Sequence, residues 1–181
     1  MRDGVRPEDI AVLYRANFQS RALEEAFLTA GVPYRVLGTR FFDRKEVKDA
    51  ISYVRAALNQ DSESDIQRVI NTPTRGIGKV TVTKLLTDGR ANLEGKARDK
   101  VESFFGILND IAKRATNDKA SDVLAFTIDR SGLGAALAGG KLEEDQERLE
   151  NIKELVSLAA NRYDEMPAPE GLLRMIEDAA L

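Results

Sequence analysis

The chain has 181 residues, of which 43% are hydrophobic and 31% charged, a composition typical of a globular protein with one sizeable core. It contains no Cys and no His, which excludes disulfides, thiol catalysis, thiolate zinc sites and hydrolases that use a His base. Its formal net charge is −3, and no apolar run reaches the roughly 20 residues that a bilayer span needs, so we expect a soluble, cytoplasmic protein without a membrane partner.

The first elements in the chain are predicted to be a strand, a helix and a second strand. Residues 10–14 and 34–37 are short β-prone runs, and residues 20–31 carry apolar side chains with the helical period. A parallel strand–helix–strand unit needs further strands to bury both of its faces. We therefore predict that residues 1–38 are a small β-α-β piece at the edge of an incomplete α/β subdomain.

Residues 39–181 are predicted to form a multi-helix domain, so the predicted fold class of the whole chain is mainly α. Asp43 is predicted to cap the first helix of this domain, with Glu46 completing a capping box. The loops are expected at residues 137–147 and 164–171. Apolar stripes predict helices over residues 43–58, 64–71, 79–86, 101–112, 121–128, 149–163 and from 169 onward.

The most informative local motif is TPTRGIGKVTVTK, at residues 72–84. A nucleotide P-loop would place Gly at position 73 and a hydroxyl at position 80, where Pro73 and Val80 stand. A dinucleotide-binding loop would place its third Gly at the position of Thr81. A calcium loop beginning at residue 61 would need Gly in place of Ile66. All three interpretations are excluded.

The remaining interpretation is a helix-hairpin-helix, with a Gly-Ile-Gly turn and a second helix that begins at Lys79 or Val80. The glycines allow a sharp turn and close approach of a ligand, and Ile77 can pack between the helices. Amides at a helix N-terminus favour phosphate, so such a loop binds a nucleic-acid backbone without reading bases. A plain helix–helix turn is the alternative. The candidate duplex-binding residues are Thr74, Arg75, Gly76, Ile77, Gly78, Lys79 and Thr81.

The charge distribution agrees with a phosphate-bearing partner near this loop and a different partner elsewhere. Residues 68–100 contain eight Lys or Arg and three Asp or Glu, whereas residues 121–181 contain six and thirteen. Local positive charge on an acidic chain favours phosphate, and the acidic last third suits a protein surface better than DNA. A solvated helix face is the alternative for the basic stretch.

Four blocks of sequence together resemble UvrD/PcrA-type superfamily 1 DNA helicases. They are DIAVLYRANFQSRALEEAFLTAGVPYRVLG, FFDRKEVKDAISYVRAALN, RVINTPTRGIGKVTVTKL and RLENIKELV. The resemblance runs from about residue 9 to the C-terminus. It implies that residues 1–38 are an edge of the RecA-like motor subdomain 2A, and that residues 39–181 are the helical subdomain 2B of an ATP-driven 3′-to-5′ DNA helicase.

The same resemblance implies roles for individual residues. Arg15 and Asn17 match positions that contact single-stranded DNA on the motor, and the loop at residues 72–79 matches the hairpin that contacts duplex DNA. Arg148 and Asn151 match a 2B motif whose role is partly structural. At the junction of the two subdomains, the carboxylates near residue 45 are predicted to be a helix cap rather than a catalytic pair.

The family's ATP-binding loop, Mg²⁺-binding acidic motif and arginine finger are absent from this sequence. We therefore expect no catalytic residue, no metal and no cofactor in this chain, and ATP and Mg²⁺ in the full-length protein. Residues 87–104 look shorter than in relatives, which puts any DNA contact there in doubt.

The expected function is a regulatory 2B subdomain that grips duplex DNA, with the rest of the helicase motor and repair or replication proteins as further partners. The alternative is an autoinhibitory lever or protein-interaction module without intrinsic DNA binding. That alternative would use the acidic surface formed by Glu143, Glu144, Asp145 and Glu147. A third hypothesis is that the chain is an independent enzyme.

Overall fold

The computed structural model describes residues 6–14, 19–36, 40–140 and 142–180, and these are mainly helical. Short 3-10 turns lie at Pro7–Asp9, Phe41–Asp43 and Arg90–Asn92. The helices are α1 (Ser20–Thr29), α2 (Lys45–Leu58), α3 (Glu63–Val69), α4 (Lys79–Asp88), α5 (Gly95–Ala115), α6 (Ala120–Ser131), α7 (Leu133–Ala138), α8 (Glu143–Arg162) and α9 (Glu170–Asp178).

The core is built around α2, which packs against α3, α5, α6 and α8. The side chains of Val47, Tyr53 and Val54 on α2 are fully buried. On α5, Val101, Phe104 and Leu108 point into the same core with the helical spacing that the sequence predicted. A helix surrounded on this many sides is buried around most of its circumference, so α2 is the centre of the domain.

Among the described residues, the predicted N-terminal β-α-β piece is present only as its helix, α1. The described residues contain no strand, and residues 10–14 and 32–36 have no regular secondary structure, while positions 37 and 38 lie outside the described ranges. The prediction of strands at residues 10–14 and 34–36 is therefore corrected. A strand exists only when a neighbour completes its hydrogen bonds, and within the described ranges neither segment has one.

Polar contacts join α1 to the helical domain. Arg21 donates from Nε to Glu154 Oε1 at 2.6 Å, which ties α1 to α8. Ser20 is 1% exposed, and its hydroxyl accepts a hydrogen bond of 2.8 Å from Arg44 Nη2. Phe27 and Tyr34 stack with ring centroids 5.5 Å apart, so the segment after α1 folds back along it.

The start of α2 differs from the predicted capping box. Arg44 is the N-cap residue, and no side chain caps the helix. Asp43 instead pairs with Lys48 at 2.7 Å, and this hydrogen bond lowers the pKa of the Asp43 carboxyl. Glu46 is 7% exposed and accepts a hydrogen bond from Asn151. Asp43 pairs with the nearby Lys48 and Glu46 with the distant Asn151, so neither carboxylate forms the cap that the sequence pattern predicted.

The loop predicted at residues 137–147 is shorter than expected. The additional helix α7 ends at Ala138, and α8 begins at Glu143. Three acidic side chains occupy the first turn of α8, where the helix dipole favours negative charge. The last five residues of the predicted loop are thus the beginning of a helix.

Within the described residues, no helix is both long enough and apolar enough to cross a bilayer. The same ranges hold no group of three or more carboxylates placed to bind a metal ion.

Candidate nucleic-acid interface

Residues 70–78 form the loop between α3 and α4, and α4 begins at Lys79, as predicted. Ile77 is 3% exposed and belongs to the hydrophobic core, which confirms the prediction that it packs inward. Gly76, Gly78 and Lys79 are exposed. The loop therefore has one apolar anchor and an open outer face.

The side chain of Asn71 fixes the conformation of the loop by binding two of its backbone amides. Its Oδ1 accepts hydrogen bonds from the amides of Arg75 at 2.7 Å and Ile77 at 3.2 Å. Asn side chains commonly bind nearby amides in turns, because their short amide group imitates a backbone carbonyl. Asn71 is not among the predicted site residues, although its position just before a Pro- and Gly-containing segment was a usable signal.

The guanidinium group of Arg75 points into the protein. Its Nη1 donates to the carbonyl oxygens of Pro73 at 2.9 Å and Val69 at 3.4 Å. Its Nη2 donates to the carbonyl oxygen of Ser131 at 2.5 Å, at the end of α6. This half-buried cation is engaged with backbone carbonyls, whereas the sequence motif predicts a residue that faces DNA.

Tyr53 supports the same side of the loop from α2. Its hydroxyl lies 3.0 Å from the carbonyl oxygen of Val69 and also within hydrogen-bonding distance of that of Thr72. The guanidinium carbon of Arg75 lies 5.7 Å from the ring centroid of Tyr53 and 5.9 Å from that of Phe104, within range of cation–π attraction. Burial raises the pKa of Tyr53 to about 12, so its hydroxyl is protonated at neutral pH.

The two glycines of the motif have different backbone conformations. Gly76 has φ +68°, and a Cβ added there would lie 2.7 Å from Lys100 Nζ. Gly78 has φ −77° and ψ 165°, which any residue adopts, and a Cβ there would meet open space. Only Gly76 is required by the turn itself, while Gly78 leaves the backbone at the start of α4 accessible.

Lys100 reaches the loop from the first part of α5. Its Nζ donates to the carbonyl oxygen of Gly76 at 2.9 Å, although the two residues are 24 positions apart. The next residue, Val101, is fully buried, so the backbone that presents this lysine is fixed by the core. Lys100 belongs to the segment at residues 87–104, where the sequence analysis doubted a DNA contact.

The N-terminus of α4 presents donors and no negative charge. The amide of Val82 binds the carbonyl oxygen of Gly78 at 3.1 Å, so the amides of Lys79, Val80 and Thr81 precede the first backbone bond of the helix. No acidic residue lies in the first turn, and no side chain caps it. In the described part of the chain, neither Lys79 nor Lys100 forms an ion pair. This arrangement suits an oxyanion.

Of the remaining predicted site residues, the two that the structure describes, Arg148 and Asn151, do not join this loop. Arg15 and Asn17 lie outside the described residues. Arg148 on α8 pairs with Glu144 and, at 3.8 Å, with Asp145. The buried side chain of Asn151 bonds to groups at the start of α2 rather than to solvent.

A cleft of about 270 Å³ lies between α2 and α3, and its lining residues lie outside the glycine motif. Its three cations are engaged: Lys48 and Arg68 in ion pairs at 2.7 and 2.8 Å, and Arg55 with a carbonyl oxygen of α9 at 3.1 Å. Burial raises the pKa of Asp49, the partner of Arg68. The cleft therefore holds less available positive charge than the loop.

Comparisons with protein families and with individual proteins both relate this chain to helicases. The UvrD-like helicase C-terminal domain matches residues 2–94. The chain is 32% identical to an ATP-dependent DNA helicase PcrA of Staphylococcus epidermidis and 30% identical to one of Staphylococcus aureus. Each alignment covers 99% of this chain and 27% of the relative. The chain thus spans about a quarter of the length of the curated relatives it matches.

Proposed function

This chain belongs to the UvrD-like helicase family, and we propose that it is the helical 2B subdomain, with an edge of the 2A motor subdomain, of an ATP-dependent 3′-to-5′ DNA helicase. In this proposal residues 1–38 belong to 2A and residues 39–181 to 2B. ATP and Mg²⁺ act in the full-length protein, where the motor residues that bind them would be found. The chain itself has a regulatory and DNA-contacting role.

The proposed contact is with the backbone of duplex DNA, through the loop between α3 and α4. The observation that supports it best is the division of the loop into a fixed inner side and an open outer side. Ile77 is buried on the inner side and Asn71 fixes the turn through two backbone amides, while Gly78 and Lys79 are exposed beside the first amides of α4. Phosphate oxygens can accept from those amides, and the lysine adds positive charge.

Binding of this kind is independent of base sequence, because phosphate contacts position a protein without reading the bases. We expect a dissociation constant on the order of 10⁻⁴–10⁻⁶ M near physiological salt, weakening steeply as salt rises. Thr74, which is exposed, and Thr81, which is half-buried, are proposed to add hydroxyl donors. Arg15 and Asn17 are proposed to contact the single strand on the motor side.

Residues 6–36 are proposed to pack against the rest of the motor. Several large apolar side chains of this segment are exposed, among them Leu13 at 94% and Leu28 at 68%. Exposed apolar side chains gathered in one segment mark an interaction surface. They are Ile10, Val12, Leu13, Tyr14, Leu28 and Tyr34.

The test is a fluorescence-anisotropy titration of the chain against a short duplex at low and high salt, with the Lys79→Glu variant beside it. We expect salt-sensitive binding that the variant loses. The matched control is Lys113→Glu, which makes the same charge change on α5 about 20 Å along the helix from Lys100. Equal loss in both variants would mean that total charge, and not the loop, determines binding.

The second candidate is a lever or protein-interaction module, and the first turn of α8 supports it. Leu142 is 65% exposed directly before the acidic residues Glu143 and Glu144, a combination that suits a basic or apolar protein partner. Reversing the acidic charges at residues 143–147 should then affect partner binding alone. Absence of duplex binding at both salt concentrations would favour this candidate.

A further inference from the structure

We propose that Lys100 is a second phosphate-contacting cation of the loop, and that Arg75 is a positioning residue that never touches DNA. The proposal rests on the proposed duplex-binding function and assigns its charges to particular side chains. The sequence motif alone favours the opposite assignment, because Arg75 lies inside the motif and Lys100 lies 21 residues beyond Lys79.

The contacts of Arg75 support its assignment as a positioning residue. Both terminal nitrogens donate to carbonyl oxygens, those of Val69 and Pro73 in the loop region and that of Ser131 in α6. The guanidinium also lies against the ring of Tyr53. These contacts use three of the five guanidinium N–H donors and turn the group toward the protein, so its positive charge is used to hold the loop against α6.

The position of Lys100 supports its assignment as a phosphate-contacting residue. An ammonium group has three donor hydrogens, and the bond to the Gly76 carbonyl uses one of them. Lys79 follows Gly76 by three residues, so chain geometry keeps its backbone within about 11 Å of the Gly76 backbone. The exposed Lys100 therefore places a second positive charge beside the same loop, from a helix that the core fixes.

The two roles predict different responses to conservative substitutions. A phosphate contact needs a positive charge, so Lys100→Arg should retain it and Lys100→Gln should lose it. A positioning arginine needs the planar fork that binds several carbonyls at once, which lysine cannot reproduce. Arg75→Lys should therefore fail to rescue binding although it keeps the charge.

The experiment measures duplex binding over a series of salt concentrations for the wild-type chain, Lys100→Gln, Lys100→Arg, Arg75→Lys and Arg75→Gln. Each phosphate contact contributes about 0.9 to the slope of log K against log salt. Lys100→Gln should reduce the slope by about 0.9, and Lys100→Arg should restore it. Arg75→Lys and Arg75→Gln should weaken binding equally, each by about tenfold.

Tyr53→Phe tests the inner network without a change of charge, in case the Arg75 variants unfold. It should also weaken duplex binding, because the hydroxyl that supports the loop is removed. Wild-type binding by Arg75→Lys, or by a folded Tyr53→Phe, would overturn the positioning role. An unchanged salt slope in Lys100→Gln would overturn the phosphate contact.

Failure of this inference is distinguishable from failure of the proposed function. If the wild-type chain shows no salt-sensitive binding, the proposed function itself is wrong and this inference falls with it. If wild-type binding is salt-sensitive and Lys79→Glu abolishes it, while Lys100→Gln behaves as wild type, only the assignment of Lys100 is wrong.

Discussion

Asn151 Nδ2 donates a hydrogen bond of 2.6 Å to Glu46 Oε1 across 105 residues of sequence, and both residues are buried. Asn151 Oδ1 accepts a second bond of 2.8 Å from Arg44 Nη1. Burial lowers the pKa of Arg44, and the nearby Glu46 carboxylate opposes this effect. The network joins α2 to α8 and, through Ser20, to α1. It makes Asn151 a structural residue in this chain.

The first prediction concerns this network. Asn151→Ala should lower the free energy of unfolding by about 1–3 kcal/mol, because it leaves a buried carboxylate and a buried guanidinium each short of one partner. Urea denaturation measures the effect. The control is Glu150→Ala on the same helix, whose exposed partner is Lys153 and which should change stability by less than about 0.5 kcal/mol. Equal effects in the two variants would show that the network does not stabilise the fold.

The second prediction separates the two glycines of the loop. Gly76→Ala should destabilise the chain by about 1–2 kcal/mol, because Ala resists a φ of +68°. Gly78→Ala should leave stability within about 0.5 kcal/mol of wild type, since its φ is ordinary and its surroundings are open.

The same two glycine variants separate an effect on folding from an effect on DNA binding. Gly78→Ala adds a methyl group where a phosphate would approach, so duplex affinity should fall although the fold is intact. Thermal unfolding and anisotropy titration of both variants supply the comparison. Wild-type affinity in Gly78→Ala would place the DNA on another face of the loop.

The third prediction concerns alkaline pH. The pKa of Tyr53 is raised from its ordinary value of 10.0 to about 12 by burial, so the folded state holds this proton more tightly than the unfolded state. Its contribution to the free energy of unfolding is complete below pH 10. As the pH rises toward 12 that contribution is lost, and the free energy of unfolding decreases by about 2–3 kcal/mol. Urea unfolding at several pH values between 9 and 12 measures it.

Tyr53→Phe is the reference for that measurement. It should be less stable than wild type near pH 8, because the carbonyl of Val69 loses a hydrogen bond. The difference in the free energy of unfolding between the two proteins should narrow as the pH approaches 12, since only the wild type has this proton to lose. A constant gap over that range would contradict the prediction.

The parts of the site that the sequence predicted correctly are local. The start of α4 at Lys79 follows from a glycine turn before a helix-forming run, and the burial of Ile77 follows from its place between two polar-flanked glycines. Each depends on residues within one or two helical turns. Periodicity and turn preferences describe interactions over that range.

The parts that the sequence did not predict depend on distant partners. Arg75 binds the carbonyl of a residue 56 positions away, and Lys100 reaches back 24 positions to Gly76. No spacing rule indicates that an arginine inside a basic motif turns inward. Residues 10–14 illustrate the opposite case, because a β-prone run forms no strand among the described residues when no neighbour pairs with it.

The most direct test of the central claim is the location of DNA on this chain. A ¹H–¹⁵N NMR titration of the chain with a short duplex would report which backbone amides shift. We predict shifts centred on residues 74–81 and extending to Lys100, with little change at residues 143–147. Shifts confined to the acidic start of α8, or absent from residues 74–81 at saturating DNA, would contradict the proposal that this loop grips the duplex backbone.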